Sequence, residues 1–397
     1  MKKHSKKIAF AILVMLSVLM FSTQKTRSPQ KVAGITETLP DTAHKAVPVI
    51  IERHTKKVSL KVAVKLDSLL ERINKRNDFH GSVLVAKDGK VLYDNHVGYA
   101  DFRKKEPLSK ASAFQLASVG KQFTAAAIMI LYERDQIKLT DTINAYFPNF
   151  PYEGVTIKNL LNHTAGLPKY FWITEHKWKG DKAPTNEEMM SLLETSNVLR
   201  FYKPGQSFDY SNTGYAVLAS IVEKVSGASF SDFVQQNIFD PLGMENSFVY
   251  SYDNDNIKEN QLAGYRLYRG WRHLKIGGSV NDAIVGDKNI YATSEDLFKW
   301  AQGLNSGKIL SKASLDLMYT EGETMFGRKV PYGFGFRIDT KNSNAIYHYG
   351  KWNGFSTALT QYPDDDLVVI VLEHTSYNGM SSLNKKIKNI VLENIDL

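Results

Sequence analysis

The sequence predicts an α/β (α+β) domain: one antiparallel sheet built from both ends of the domain, flanked by helices, with a large, mainly helical insert. Three observations predict it. An Asp-Gly turn between two apolar runs, at Lys87-Asp88-Gly89-Lys90, marks a strand hairpin early in the chain. Four more strand-like runs lie beyond residue 330. Between about 115 and 305 the apolar spacing is mostly helical. Strands near both ends pair most simply in one sheet, which terminal helices then cover.

Taken in order, residues 1–21 read as an export signal or N-terminal anchor. Lys2, Lys3, Lys6 and Lys7 precede the apolar run Ile8–Phe21, which is shorter than the roughly 20 residues of a membrane span. Residues 22–60 carry Pro29, Pro40 and Pro48 without a sustained period and read as a basic linker or arm. Val62, Leu66, Leu69, Leu70 and Ile73 recur at helical spacing, so a domain spanning 61–397 opens with an amphipathic helix. The hairpin pairs Gly81–Ala86 with Val91–Tyr99. The late strands are Gly333–Ile338, Ala345–Tyr349, Phe355–Tyr362 and Leu367–Leu372, and Ser381–Ile395 reads as a last helix.

The composition narrows the chemistry. The 397 residues include no cysteine, which removes disulfides, thiolate metal sites and cysteine nucleophiles together. The net charge is +9, but it is not evenly spread. Residues 1–65 hold 13 Lys+Arg against 3 Asp+Glu, whereas residues 66–397 hold 37 against 38. The basic balance therefore belongs to the leader and arm. A nucleic-acid reading, which needs a basic stripe within the folded domain, loses its support. An arm of this charge suits an anionic membrane or wall polymer.

Three segments carry candidate chemistry. Ser118-Val119-Gly120-Lys121 opens a helix whose Phe123, Ala126, Ala127, Ile130 and Leu131 form a wide apolar face. A lysine in a first turn opposes the helix dipole, and such violations cluster at functional sites. Desolvation there lowers a lysine pKa, so Lys121 could take the proton of the Ser118 hydroxyl. Ser-x-x-Lys also occurs at Ser22, Ser28 and Ser382, without a buried helix behind it. Tyr210-Ser211-Asn212 follows a Pro204-Gly205 turn and precedes an apolar helix, pairing a proton shuttle with an amide donor. His348-Tyr349-Gly350 ends a strand, where glycine admits close backbone approach.

In this order the three segments resemble the active-site motifs of the penicillin-recognising serine hydrolases. The class C β-lactamase, serine D,D-peptidase and family VIII esterase group is the most similar. The resemblance covers about residues 66–395 and includes Leu160–Pro168 and Ile290–Leu297. It implies a β-lactamase/transpeptidase-like fold and an exported hydrolase that works through an acyl-enzyme, without cofactor or metal. Ser118 would be the acylated nucleophile, Lys121 its base and Tyr210 the proton carrier. Asn212, His348 and Gly350 would bind substrate, and the backbone N–H groups of Ser118 and Lys351 would form the oxyanion hole. Related β-lactamases carry Lys-Thr-Gly at the third motif. His348-Tyr349-Gly350 is more similar to D,D-peptidases and esterases, so a D-Ala-D-Ala-type peptide, such as a cell-wall peptide, or a small ester is the expected substrate. The alternatives are a β-lactamase proper and a slow penicillin-binding or sensor module. His163 is assigned to structure. The aromatic segment Lys169–Lys182 either lines the cleft or packs on the surface.

The absence of Gly-x-Ser-x-Gly and of His-Glu-x-x-His leaves neither a nucleophile elbow nor a zincin motif.

Overall fold

A computed structural model describes residues 49–251 and 257–395. The leader at 1–21 and the arm as far as residue 48 lie outside the described residues. Helix α1 spans Lys56–Asn77, beginning before the predicted start at Val62. Its Val62, Leu66, Leu69, Leu70 and Ile73 are buried as their spacing demands. Asp78 ends it in the left-handed conformation, its N–H returning to Ile73 O. Residues 49–54, placed by composition in the arm, are instead packed: His54 N–H donates to Val91 O and Val91 N–H to Glu52 O. Val49 and Ile51, two apolar residues within a polar stretch, lie against the core and account for this.

The main sheet has six antiparallel strands. They are β1 (Gly81–Lys87), β2 (Lys90–Val97), β3 (Arg337–Asp339), β4 (Ala345–Trp352), β5 (Phe355–Tyr362) and β6 (Leu367–Glu373), in the order β3-β4-β5-β6-β1-β2. The hairpin and last strands thus join across the domain through the β1–β6 pair. Asp88 and Gly89, at φ 52° and 70°, make the tight turn that Asp-Gly favours. One predicted strand is shortened. Gly333–Phe336 is a turn, closed by Gly333 N–H to Phe336 O, because Gly335 takes φ +81° where a Cβ would crowd Gln122 and Lys121 O.

The insert contains α2 (Lys121–Glu133), α3 (Tyr170–Lys177), α4 (Asn212–Ser226) and α5 (Ser294–Asn305), and α6 (Met380–Leu392) follows the sheet. Strand alternation divides the core in two. Val83, Val85, Val369 and Val371 face α1 and α6, while Leu84, Ala86, Ile370 and Leu372 face the insert. Both faces are covered, so these strands read as continuous apolar runs. Helix α2 is buried all round from Lys121 to Leu131, which makes it the central helix of the insert.

Candidate active site

From Ser112 to Leu131 every residue is buried except Ser118. It stands in a 3-10 turn, Ala117–Gly120, that leads into α2. The preceding Ala117 is at φ +49°, a strained conformation for a residue with a Cβ. Two neighbours hold the turn: Thr357 Oγ1 on β5 donates to Leu116 O at 2.6 Å, and Leu116 N–H donates to Ile290 O at 2.7 Å. Gly350 on β4 lies against the same turn, where a Cβ would overlap Leu116 O and Thr357 Oγ1 and come within 3.0 Å of Ser118 N.

The first turn of α2 then points Lys121 back at the serine. Its Nζ lies 3.3 Å from Ser118 Oγ, 2.8 Å from Asn212 Oδ1 and 2.7 Å from the Asp287 carbonyl. Burial lowers its pKa; the Asp287 carboxylate opposes that and the Arg337 charge adds to it, giving a value of about 8. The last two partners are pure acceptors and each takes an N–H. A protonated Lys121 therefore donates its third hydrogen to Ser118, whereas a neutral one turns its lone pair there.

Tyr210 sits on the loop before α4, with Lys121 Nζ 5.1 Å from its ring centroid. Its hydroxyl is buried without a well-formed hydrogen bond. Burial raises its pKa, against opposing pulls from Ser118 and Arg337. His163 backs the ring at 4.3 Å and fixes the loop: Ser211 N–H donates to its Nδ1, and Asp209 N–H to its carbonyl. The structural assignment of His163 accords with this. Asn212 is the first residue of α4; with Oδ1 engaged by Lys121, its amide N–H₂ is left for other partners.

His348 differs from expectation. The ring is buried and both nitrogens are used, Nδ1 toward Tyr349 O at 2.8 Å and Nε2 toward the Tyr332 hydroxyl at 3.0 Å. A carbonyl only accepts, so Nδ1 carries the proton and Nε2 accepts from Tyr332. Burial, then the charges of Lys121 and Arg337, hold the ring neutral, with its pKa well below the usual value. The ring has no donor left for a ligand carboxylate. The cation here is Arg337, which lies 5.2 Å from the Tyr210 ring centroid and makes no ion pair among the described residues. Sequence reasoning passed over it, though an arginine ending the run Tyr332–Phe336 was the available signal.

Tyr349 packs on the α1–α6 side of the sheet, away from the face that bears His348 and Gly350. The Lys351 side chain reaches Asn378. Its N–H is what matters for the cleft. Asn353 and Gly354, both at positive φ, form the two-residue turn that closes the Trp352–Phe355 pair. The next pair, Lys351–Ser356, is then non-hydrogen-bonded, and β3 covers β4 only as far as Tyr347. The Lys351 N–H thus lies on an open strand edge.

A second buried group adjoins Lys121. Lys288 Nζ donates to the Tyr170 hydroxyl at 2.7 Å and pairs with Asp287 at 3.2 Å, with the Trp352 and Phe171 rings over it. The start of Lys169–Lys182 is therefore packed wall: Tyr170 is buried on α3, while Trp172 stays half exposed.

Outside the cleft, Asp78, His80 and His273 are the cluster among the described residues whose ligand atoms lie close enough to share a cation. Tyr99 N–H donates to His80 Nδ1, which puts that ring's proton on Nε2, facing Asp78. A protonated nitrogen offers a metal no lone pair, so the trio serves as a hydrogen-bonded clamp.

Comparison with known proteins identifies the family. The chain is 34% identical over 320 residues to penicillin-binding protein 4* of Bacillus subtilis (strain 168), covering 78% of this chain and 71% of the relative. It is 26% identical to a D-aminopeptidase of Brucella anthropi, across 79% of this chain and 59% of that one. The octameric penicillin-binding protein homologue from Pyrococcus abyssi superposes with a TM-score of 0.71 at 27% identity, over 83% of this chain and 77% of that one. The Beta-lactamase family model matches residues 66–391, the stretch that holds the Ser118 turn, the Tyr210 loop and β4. With a serine beside a buried lysine in that matched fold, the chain belongs to the Beta-lactamase family and is a serine hydrolase.

Proposed function

We propose that this chain is an exported hydrolase that cleaves an amide or ester through an acyl-enzyme on Ser118, with a D-Ala-D-Ala-type peptide or small ester as substrate. The observation that carries the reading is the 3.3 Å approach of Lys121 Nζ to Ser118 Oγ, with the lysine pKa brought down to about 8. Neutral Lys121 takes the Ser118 proton as Oγ bonds to the substrate carbonyl carbon. The resulting oxyanion sits between the N–H groups of Ser118 and Lys351; each such donor is worth about 3 kcal/mol. The proton passes through Tyr210 to the leaving amine or alkoxide as its bond to carbon breaks. Water then releases the acyl group by the reverse path. The Asn212 amide holds the substrate amide.

A carboxylate on the substrate meets Arg337 in this reading, because His348 is locked between Tyr332 and its neighbour's carbonyl. That places the positive charge on β3, one strand away from the third motif.

The test pairs the full chain with its Ser118→Ala variant. Each is incubated with a fluorescent penicillin, a fluorophosphonate, a p-nitrophenyl ester and a peptide ending in D-Ala-D-Ala. Turnover of peptide or ester that depends on Ser118 is the expected result. Absence of both Ser118-dependent labelling and turnover overturns the reading. Lasting penicillin labelling without turnover replaces it with a slow penicillin-binding module.

A further inference from the structure

A hairpin outside the cleft carries chemistry that the hydrolase reading does not use. Tyr265–Tyr268 pairs with Arg272–Lys275 around a turn at Arg269 and Gly270, both at positive φ. Its tip is apolar and uncovered: Trp271 is 73% exposed, Leu267 41% and Tyr268 38%. Around it stand Arg266, Arg269, Arg272 and Lys275, none of which forms an ion pair among the described residues. Residues 257–280 hold five Lys+Arg against one acid, Glu259, although residues 66–397 as a whole hold 37 against 38. The base of the hairpin is fixed. His273 stacks on Phe102 at 3.6 Å and bonds Asp78 at 2.8 Å, and Tyr265 N–H donates to His374 O. Gly264, just before it, packs against Asn353 in the turn after β4.

We propose that this hairpin docks the domain on an anionic lipid bilayer, with Trp271, Tyr268 and Leu267 entering the interface and the surrounding arginines facing lipid phosphates. The cations alone would suit any polyanion. The uncovered tryptophan and leucine decide for lipid, since an indole is at home where hydrocarbon meets headgroup and a dissolved polymer offers it nothing comparable. Rigid mounting means that docking needs no ordering of a loop. Because the mount touches the β4–β5 turn, docking would hold the cleft at a fixed attitude to the bilayer. Docking of this kind does not depend on which bond the cleft breaks.

The chain has no cysteine, so Leu267→Cys offers a single site for an environment-sensitive nitrobenzoxadiazole probe in the full-length protein. Vesicles of phosphatidylcholine with phosphatidylglycerol are expected to shift the emission to the blue, and vesicles of phosphatidylcholine alone to leave it unchanged. Arg266→Glu/Arg272→Glu in the labelled chain is expected to weaken the response at least about 10-fold. Trp271→Ala should weaken it too, and unchanged near-ultraviolet circular dichroism at the fold's other aromatic residues controls for folding. Sedimentation with vesicles while the probe stays silent would place contact elsewhere on the chain and overturn the proposal. An equal shift with dextran sulfate and no lipid would also overturn it, in favour of a polymer site.

Discussion

Lys121 Nζ stands 3.3 Å from Ser118 Oγ and gives its other two bonds to acceptors that cannot reverse, Asn212 Oδ1 and the Asp287 carbonyl. Protonation of one nitrogen thus decides whether the serine faces a donor or a base. With the Lys121 pKa at about 8, kcat/KM for an ester is expected to climb through one ionisation near that pH. Two units below it the rate falls about 100-fold, as the neutral fraction does. A stopped-flow profile that stays flat between pH 6 and 9 would contradict this.

The same burial has a cost in stability. A lysine whose pKa is lowered on folding binds its proton less well in the native state than in the unfolded chain. The penalty is full below pH 8 and fades as pH rises from 8 toward the unfolded value of 10.5. Lys121→Met removes it but leaves the Asp287 carbonyl without a donor, so the net gain at pH 7 is about 1–3 kcal/mol. Acylation meanwhile falls by about 10²–10⁴-fold. Thermal denaturation at pH 7 and 9.5 should show the variant's advantage shrinking at the higher pH.

Asp287 acts on the lysine from behind. Its carboxylate raises the pKa of Lys121 and pairs with the buried Lys288. Asp287→Asn should move the pH limb of activity to lower pH and, by leaving Lys288 unpaired, destabilise the fold by about 3–5 kcal/mol. In Asp287→Asn/Lys288→Met the charge is gone from both positions. That double variant should recover most of the stability, and its limb should lie above that of Asp287→Asn, because Lys288 and Lys121 repel each other. An Asp287→Asn limb that stays at the parent's pH would show that Asp287 acts only through folding.

The sheet and the segments that bring Ser118, Lys121 and Tyr210 together were legible in the sequence because both depend on local pattern. The continuous apolar run of β6, the Asp88-Gly89 turn and the 3.6-residue spacing of α1 each fix an element within one short window. Ser118, Lys121 and Tyr210 could be named because, each before an apolar helix, their motifs stand in the order that resembles the family's, whereas each motif by itself recurs elsewhere in the chain. What escaped depends on packing across the chain. Nothing near His348 announces Tyr332, 16 residues earlier, which occupies its ring. The buried Asp287–Lys288 pair looks like any surface pair until α3 covers it with Tyr170. Gly333–Phe336 alternates like a strand, and only the contact of Gly335 with α2 turns it aside.

Gly350 tests how tightly β4 braces the turn that carries Ser118. Any Cβ there must displace Leu116 O and Thr357 Oγ1, the pair that holds the turn before Ser118. Backbone and a buried hydroxyl cannot give way as a flexible side chain would. Gly350→Ala should lose Ser118 labelling at least about 10²-fold, since a shift near 1 Å in the reacting groups is that costly. Thr357→Val, which removes the hydroxyl bond but keeps the space, should lose less. Equal losses would mean that the hydrogen bond, rather than the close approach, positions the serine.

Arg337 separates recognition of charge from chemistry. It lies over Tyr210 without an ion-pair partner among the described residues, and its charge is felt by Lys121, Tyr210 and His348 together. If it meets a substrate carboxylate, Arg337→Gln should reduce kcat/KM for peptides ending in D-Ala-D-Ala by about 10–100-fold, the worth of a charged hydrogen bond. A neutral p-nitrophenyl ester should lose far less. Removing the cation also takes away one of the influences that lower Lys121, so the pH limb for the ester should move upward. A C-terminally amidated peptide supplies the control, because the variant should treat it much as the parent does. Equal losses on charged and neutral substrates would assign Arg337 to the packing of Tyr210 instead.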